Sequence, residues 1–178
     1  MGSTIDNLSV EDAEWGVTIY GSDPVLTNVK VINADRVAVD LFDGATPRIY
    51  NLRIEGGGQD LHGASTSWRY GIGLSVGAYS APIVDGLVAN VLITRALNYW
   101  GNSGGMISNL EITNITGATL AVATGIWIED SRPLITDIDI DRCDNGIFVR
   151  HITPGPGQRL PRRATERRRR SPPRRAVD

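Results

Sequence analysis

Pro47-Arg48-Ile49-Tyr50-Asn51-Leu52-Arg53-Ile54 decides the fold, because the chain keeps repeating it. Copies begin at Ser3, Pro24, Pro47, Pro82, Gly105 and Pro133. The third residue of each is apolar: Ile5, Leu26, Ile49, Val84, Ile107 and Ile135. The fifth is Asn7, Asn28, Asn51, Gly86, Asn109 and Asp137. The sixth is Leu8, Val29, Leu52, Leu87, Leu110 and Ile138, and the eighth Val10, Val31, Ile54, Ala89, Ile112 and Ile140. Positions six and eight alternate with a variable residue, the period of a strand with one buried face. Positions three and six break that alternation, so the backbone must bend between them. Asn, Asp and Gly enter the left-handed region at low cost, and they alone occupy the fifth place. The spacing predicts a one-residue left-handed corner joining two short strands.

A second apolar block follows most copies, and in the ragged fourth copy Ala96-Leu97-Asn98-Tyr99 is the best match. The other blocks read Gly16-Val17-Thr18-Ile19, Arg36-Val37-Ala38-Val39, Gly71-Ile72-Gly73-Leu74, Gly125-Ile126-Trp127-Ile128 and Gly146-Ile147-Phe148-Val149. The copies start 21, 23, 35, 23 and 28 residues apart. A fixed period in this range marks a solenoid, here of about six coils, each with three short strands and three corners. The longest insertion runs from Gly56 to Tyr70. Coils stacked at the ~4.8 Å strand spacing make a rod about 30 Å long. A leucine-rich repeat has a similar period, but its Asn follows the strand; here the Asn precedes the Leu.

The Pro-x-Ile-x-Asn-Leu-x-Ile starts and Gly-Ile-x-Val second blocks, from about Ser3 to Pro154, resemble the pectate-lyase-like superfamily. The resemblance implies an all-β fold, a right-handed parallel β-helix. It also implies an asparagine ladder through Asn7, Asn28, Asn51 and Asn109, interrupted at Gly86 and ended at Asp137. It implies no single activity, since the superfamily holds lyases, hydrolases, epimerases, tailspikes and adhesins. The polygalacturonase pattern of paired Asp with Gly-His-Gly is absent from the chain, as is the Asp-Pro-His-Glu run of alginate epimerases. Pectate lyases use an Arg base with Ca²⁺-binding Asp residues, a role open to Arg53, Arg69 or Arg132.

Charge divides the chain of 178 residues in two. Residues 1–150 hold 9 basic and 18 acidic side chains, whereas residues 151–178 hold 9 Arg against Glu166 and Asp178. An acidic body argues against a nucleic-acid surface on the solenoid. Pro154 stands where another coil would start, but Pro156, Gln158, Arg159 and Pro161 fail every diagnostic place. Residues 1–154 are therefore expected to form the solenoid and 155–178 a disordered basic tail. The tail reads as out-of-frame text, as a basic arm for nucleic acid or acidic partners, or as a nuclear-localisation run, with the first reading preferred. The chain begins directly inside a coil without a signal pattern at Met1-Gly2-Ser3-Thr4. The expectation is a piece of a longer protein that is secreted or cell-surface. No apolar run is long enough to cross a membrane. The lone Cys143 excludes an internal disulfide.

Candidate chemistry sits at outward positions. Lys30 beside Arg53, and Glu111 beside Asp139, would stack like charges, which is unfavourable; the basic pair could meet a uronic-acid carboxylate. Asp139 and Asp141 share one outer face and are candidate ligands for Ca²⁺, although no EF-hand spacing supports them. Trp127 and Phe148 would stack facing outward, suited to sugar rings or to burial under a loop or a second subunit. The long insertion adds Asp60 and His62, a conceivable general base, and Trp68. A solvated face and a glycine-rich decorative loop are the plainer readings of these groups. The expected partner is a polysaccharide, with Trp127, Phe148, Lys30, Arg53 and Trp68 as contacts and no cofactor beyond Ca²⁺. Catalysis by Arg53, His62 or Asp60 is the lesser expectation. The competing class is a structural or adhesive solenoid that self-associates through open ends.

Overall fold

The computed structural model describes residues 2–58, 71–90, 94–116 and 123–151. The first strands are β1 (Thr4–Asp6), β2 (Ser9–Glu11) and β3 (Trp15–Tyr20). Next come β4 (Val25–Ala34), β5 (Val37–Phe42), β6 (Arg48–Gly57) and β7 (Ile72–Val76). After these lie β8 (Ile83–Asn90), β9 (Arg95–Tyr99), β10 (Met106–Ile115) and β11 (Thr124–Glu129). The last described strands are β12 (Leu134–Ile135), β13 (Ile138–Cys143) and β14 (Asn145–Arg150). No helix occurs among the described residues.

Every described strand pairing is parallel. One sheet runs β1-β4-β6-β8-β10-β12, with β2 beside β4 and β13 beside β10. The other runs β3-β5-β7-β9-β11-β14. The chain thus alternates between two sheets and returns one rung further on each time, an arrangement compatible with a β-helix.

Register follows the sequence repeat residue for residue in the first sheet. Leu26, Ile49, Val84 and Ile107 form one column, as do Val29, Leu52, Leu87, Leu110 and Ile138. The central members of both are buried. Ile138, expected in the same buried stack, is 39% exposed, because no described rung lies beyond it. The other inner wall is built by Val39, Leu74, Leu97 and Ile126, all buried.

The predicted corner is present in every rung. Asn7, Asn28, Asn51, Asn109 and Asp137 have φ between 53° and 56°, and Gly86 has φ 78°. The two short strands expected around it are joined into one long bent strand in β4, β6, β8 and β10, since a single left-handed residue bends the ladder without ending it. Asn51 Nδ2 donates to Asn28 Oδ1 at 3.1 Å. Asn28 Nδ2 donates to Asp6 Oδ1 at 3.1 Å instead of to Asn7. The ladder stops at Gly86 and restarts when Asn109 Nδ2 donates to Asp85 Oδ1 at 2.6 Å.

The other two of the three expected corners have no place marked in the sequence repeat. Asp12, Asn33, Gly56, Asn114 and Arg142 are left-handed five residues past the first corner. Asn33 donates there to Asp12 at 3.1 Å. Gly21, Asp43, Ala78, Gly101 and Asp130 are left-handed at the far end of the second sheet.

Asn51→Gly should cost about 1 kcal/mol, the loss of one exposed hydrogen bond. Asn51→Val should cost roughly 1–3 kcal/mol more, because a β-branched residue is strained at positive φ. Urea unfolding of both variants checks this, and equal midpoints would count against the corner. A second test concerns Tyr99, whose buried hydroxyl has no hydrogen-bond partner among the described residues. Burial also pushes its pKa upward. Tyr99→Phe removes an unsatisfied polar group and should raise the unfolding free energy by about 1 kcal/mol.

Candidate functional site

The outer face of the second sheet carries three columns of side chains that enclose a cleft. The first contains Trp15, Val37, Ile72, Arg95 and Thr124. The second contains Thr18, Asp40, Ser75, Asn98, Trp127 and Phe148. In the third, Tyr20 faces Phe42 and Glu129 faces Arg150. Gly77 and Trp100 lie between these pairs, one residue beyond the Val76–Tyr99 pair.

This differs from the sequence alignment by two residues in β5 and β7. Ala38 and Gly73 were expected in the Trp127 column, but Asp40 and Ser75 stand there. The residue after each second block is Asp40, Ser75, Trp100 and Glu129 in the sequence alignment, but Phe42 and Gly77 take the first two of these places. A slip of two residues preserves the alternation of Val37, Val39 and Leu41, although Val37 now lines the cleft and Ala38 packs in the core. Val37-Ala38-Val39-Asp40-Leu41 therefore fits the apolar pattern in either frame, and only corner length distinguishes them.

The cleft encloses about 420 Å³, within the range of small-ligand sites. Trp15, Trp100 and Trp127 all line it, three of the four tryptophans in the chain. Trp100 lies directly over Gly77, where a Cβ would overlap the indole. Its Nε1 donates to Ser75 Oγ at 3.4 Å, and it remains 42% exposed. Trp15 is equally exposed, with the Arg36 guanidinium 5.9 Å from its ring.

The polar groups fall into two sets. Toward one end, burial pushes the Asp40 carboxyl above its ordinary pKa, against a hydrogen bond from Ser75 that lowers it. Toward the other, Arg95 Nη1 donates to Asn98 Oδ1 at 2.8 Å. Burial lowers the Arg95 pKa, the Glu129 carboxylate raises it, and Arg150 lowers it. Glu129 Oε2 accepts from Trp127 Nε1 at 3.1 Å and from Arg150 Nη2 at 2.9 Å.

Trp127 and Phe148 do stack, with centroids 4.2 Å apart and planes 22° from parallel. The Arg95 guanidinium lies 4.0 Å from the centroid of the Trp127 ring. Trp127 therefore meets the cleft as a wall held by Phe148 and Arg95, and Trp15 and Trp100 are its more open aromatic surfaces.

The other sequence candidates lie elsewhere. Lys30 and Arg53 are neighbours on the first sheet, as expected. Glu55 reaches between them: its carboxylate is 3.3 Å from Lys30 Nζ and accepts from Arg53 Nε at 2.6 Å. These cations, Arg53 foremost, hold the Glu55 pKa below its ordinary value. Asp139 and Asp141 are exposed on β13, and Asp141 Oδ2 accepts from Arg142 Nε at 2.8 Å. Among the described residues no three His, Cys, Asp or Glu side chains converge as a metal site would require. Asp60, His62 and Trp68, with Arg69 and the tail beyond His151, lie outside the described residues. Sequence reasoning missed Trp15, Asp40, Ser75, Arg95, Asn98, Trp100 and Glu129 as site residues. The signal available was the clustering of tryptophans on second-block strands.

No family model, curated protein or solved structure matches this chain.

Asp40 gives a pH test of the cleft. Its folded-state pKa is raised, so the folded state binds more protons than the unfolded state just above the ordinary Asp range. Its contribution to stability therefore falls as pH rises through that window. Asp40→Asn should gain stability relative to wild type between acid and neutral pH, and the gain should vanish in acid. Urea unfolding of both proteins across a pH series reads the difference directly.

Proposed function

We propose that the chain is a right-handed parallel β-helix of about six rungs, of the pectate-lyase-like type, that binds an extended polysaccharide along the cleft of its second sheet. The observation that carries this reading is the joint placement of Trp15 and Trp100 with Asp40, Ser75 and Asn98 around one groove. Flat aromatic surfaces suit the apolar faces of sugar rings, and short polar side chains suit their hydroxyls. The rungs repeat every ~4.8 Å, so a chain lying along the axis meets a new set of side chains at each regular step.

The charge inside the cleft favours a neutral glycan. Asp40 and Glu129 offset Arg95, and Glu129 is also paired with Arg150. The Lys30–Arg53 pair, a possible anchor for uronic acids, sits on the first sheet and is engaged by Glu55. Binding without turnover is the reading we adopt. Asp40 and Glu129 stand three rungs apart, so their backbones are separated by about 14 Å. The two carboxylates of a glycosidase lie roughly 5–9.5 Å apart.

Titration calorimetry with neutral and uronic-acid oligosaccharides, each with and without Ca²⁺, tests the proposal. Neutral oligosaccharides should bind, and Trp100→Ala should weaken binding about tenfold, near 1.4 kcal/mol. Binding indifferent to Trp100, or no binding at all, would overturn it. Products with unsaturated ends would instead establish a lyase.

A further inference from the structure

Asp40 carries a charge that its surroundings leave unbalanced. It is half-buried on β5, between Thr18 and Ser75 in its column. Its carboxyl accepts a hydrogen bond from Ser75. Among the described residues no Lys, Arg or His lies within ion-pair distance of it. Glu129, also in the cleft, is paired with Arg150. Arg95 stands two rungs from Asp40, bonded to Asn98 and laid against the Trp127 ring. Asp40, Ser75 and Arg95 lie on inner rungs, since β5, β7 and β9 each have a described strand on both sides.

An aromatic surface stands beside that carboxyl. Trp100 lies over Gly77, and its Nε1 donates to Ser75 Oγ, which in turn donates to Asp40. The polar edge of the indole is thus one rung, about 4.8 Å, from the rung of Asp40. A sugar ring seated on the open part of the indole has the carboxyl within reach of a ring substituent. We propose that the glycan taken by this cleft carries free amines, and that an amino sugar on Trp100 sets its ammonium against the Asp40 carboxylate; this rests on the reading that the cleft binds a glycan.

A hydroxyl can donate to Asp40, but it leaves the charge unbalanced, and buried charges are costly unless paired. An ammonium supplies both the hydrogen bond and the charge, and charge-assisted bonds are the stronger ones. Ammonium groups also favour indole faces, and Trp15 and Trp100 line the same cleft. Burial raises the Asp40 pKa, a shift that an adjacent ammonium opposes. A uronic acid would set carboxylate against carboxylate. A metal ion fits less well, because no three acidic, His or Cys side chains converge among the described residues. An amine-bearing glycan keeps the rings and hydroxyls that suit the rest of the cleft and adds a cation at Asp40.

Titration calorimetry of the full chain tests this slightly below neutral pH, where ammonium and carboxylate coexist. The ligands are a β-1,4-linked glucosamine oligomer and the same oligomer fully N-acetylated. Wild type should bind the free-amine form about tenfold more tightly. Asp40→Asn should abolish that difference and leave the affinity for the N-acetylated form unchanged. Glu11→Gln removes the same charge from an exposed place on the first sheet, and should keep the difference. Spermidine, an amine without a ring, should bind far more weakly than either oligomer. Equal affinity of the two oligomers for wild type overturns the proposal while leaving the glycan reading in place. A preference that survives Asp40→Asn also overturns it. So does one lost in Glu11→Gln as well, which would show general attraction to an acidic body. Spermidine binding as tightly as the amine oligomer would do the same. Absence of binding by both oligomers overturns the glycan reading and this proposal together.

Discussion

A parallel ladder ties each rung to the rung before and the rung after, successive residues bonding alternately to one and the other. Any departure from extended backbone must therefore be repeated in every rung, or the ladder breaks on both sides of it. The first corner shows the constraint at work. Asn7, Asn28, Asn51, Gly86, Asn109 and Asp137 all take positive φ, and the strands before and after the corner stay in register through it. The apolar columns follow from this. Once corners superimpose, the third, sixth and eighth residues of every rung point to one interior without any further specification.

Side-chain amides reinforce the corner where they can. Asn51 bonds to Asn28, and Asn28 to Asp6. Gly86 gives up that bond yet keeps the conformation, because glycine needs no side chain to hold positive φ. Backbone geometry is thus the stricter demand and the amide ladder the looser one. Ala78 and Arg142 make the same point, as left-handed residues in columns otherwise held by Gly, Asn or Asp; the ladder on either side holds them in a conformation they do not favour.

That strictness made the first sheet legible from sequence. Pro at the start, the fifth-place Asn and the apolar sixth and eighth residues fix its register to the residue. The second sheet has no comparable marker. Val37, Val39 and Leu41 are apolar at every other place, so the alternation fits two frames two residues apart; in the frame adopted Val39 and Leu41 face the core and Val37 lines the cleft. The consequence fell on the outer face, where Asp40 and Ser75 moved beside Asn98 and Trp127. The second and third corners were hidden for a related reason. Loop lengths between them vary, and residues such as Ala78 carry no left-handed signature. Arg95 was obscured differently: it precedes a block that lacks the Gly-Ile start, and only pairing with Ile72 and Thr124 places it.

The cleft is where the same repetition acquires chemistry. Inside the stack a column must stay apolar, so Val39, Leu74, Leu97 and Ile126 vary little. Outside it a column may change residue type at every rung, and Thr18, Asp40, Ser75, Asn98 and Trp127 do so. The fixed backbone holds these unlike groups at a constant spacing without loops to position them. Glycine is needed where a large group must lie flat: Gly77 gives the Trp100 indole a place against the sheet. Burial raises the Asp40 pKa, a cost to folding at neutral pH that core packing alone does not require. A half-buried carboxyl between Thr18 and Ser75 is therefore not accounted for by what holds the rungs together.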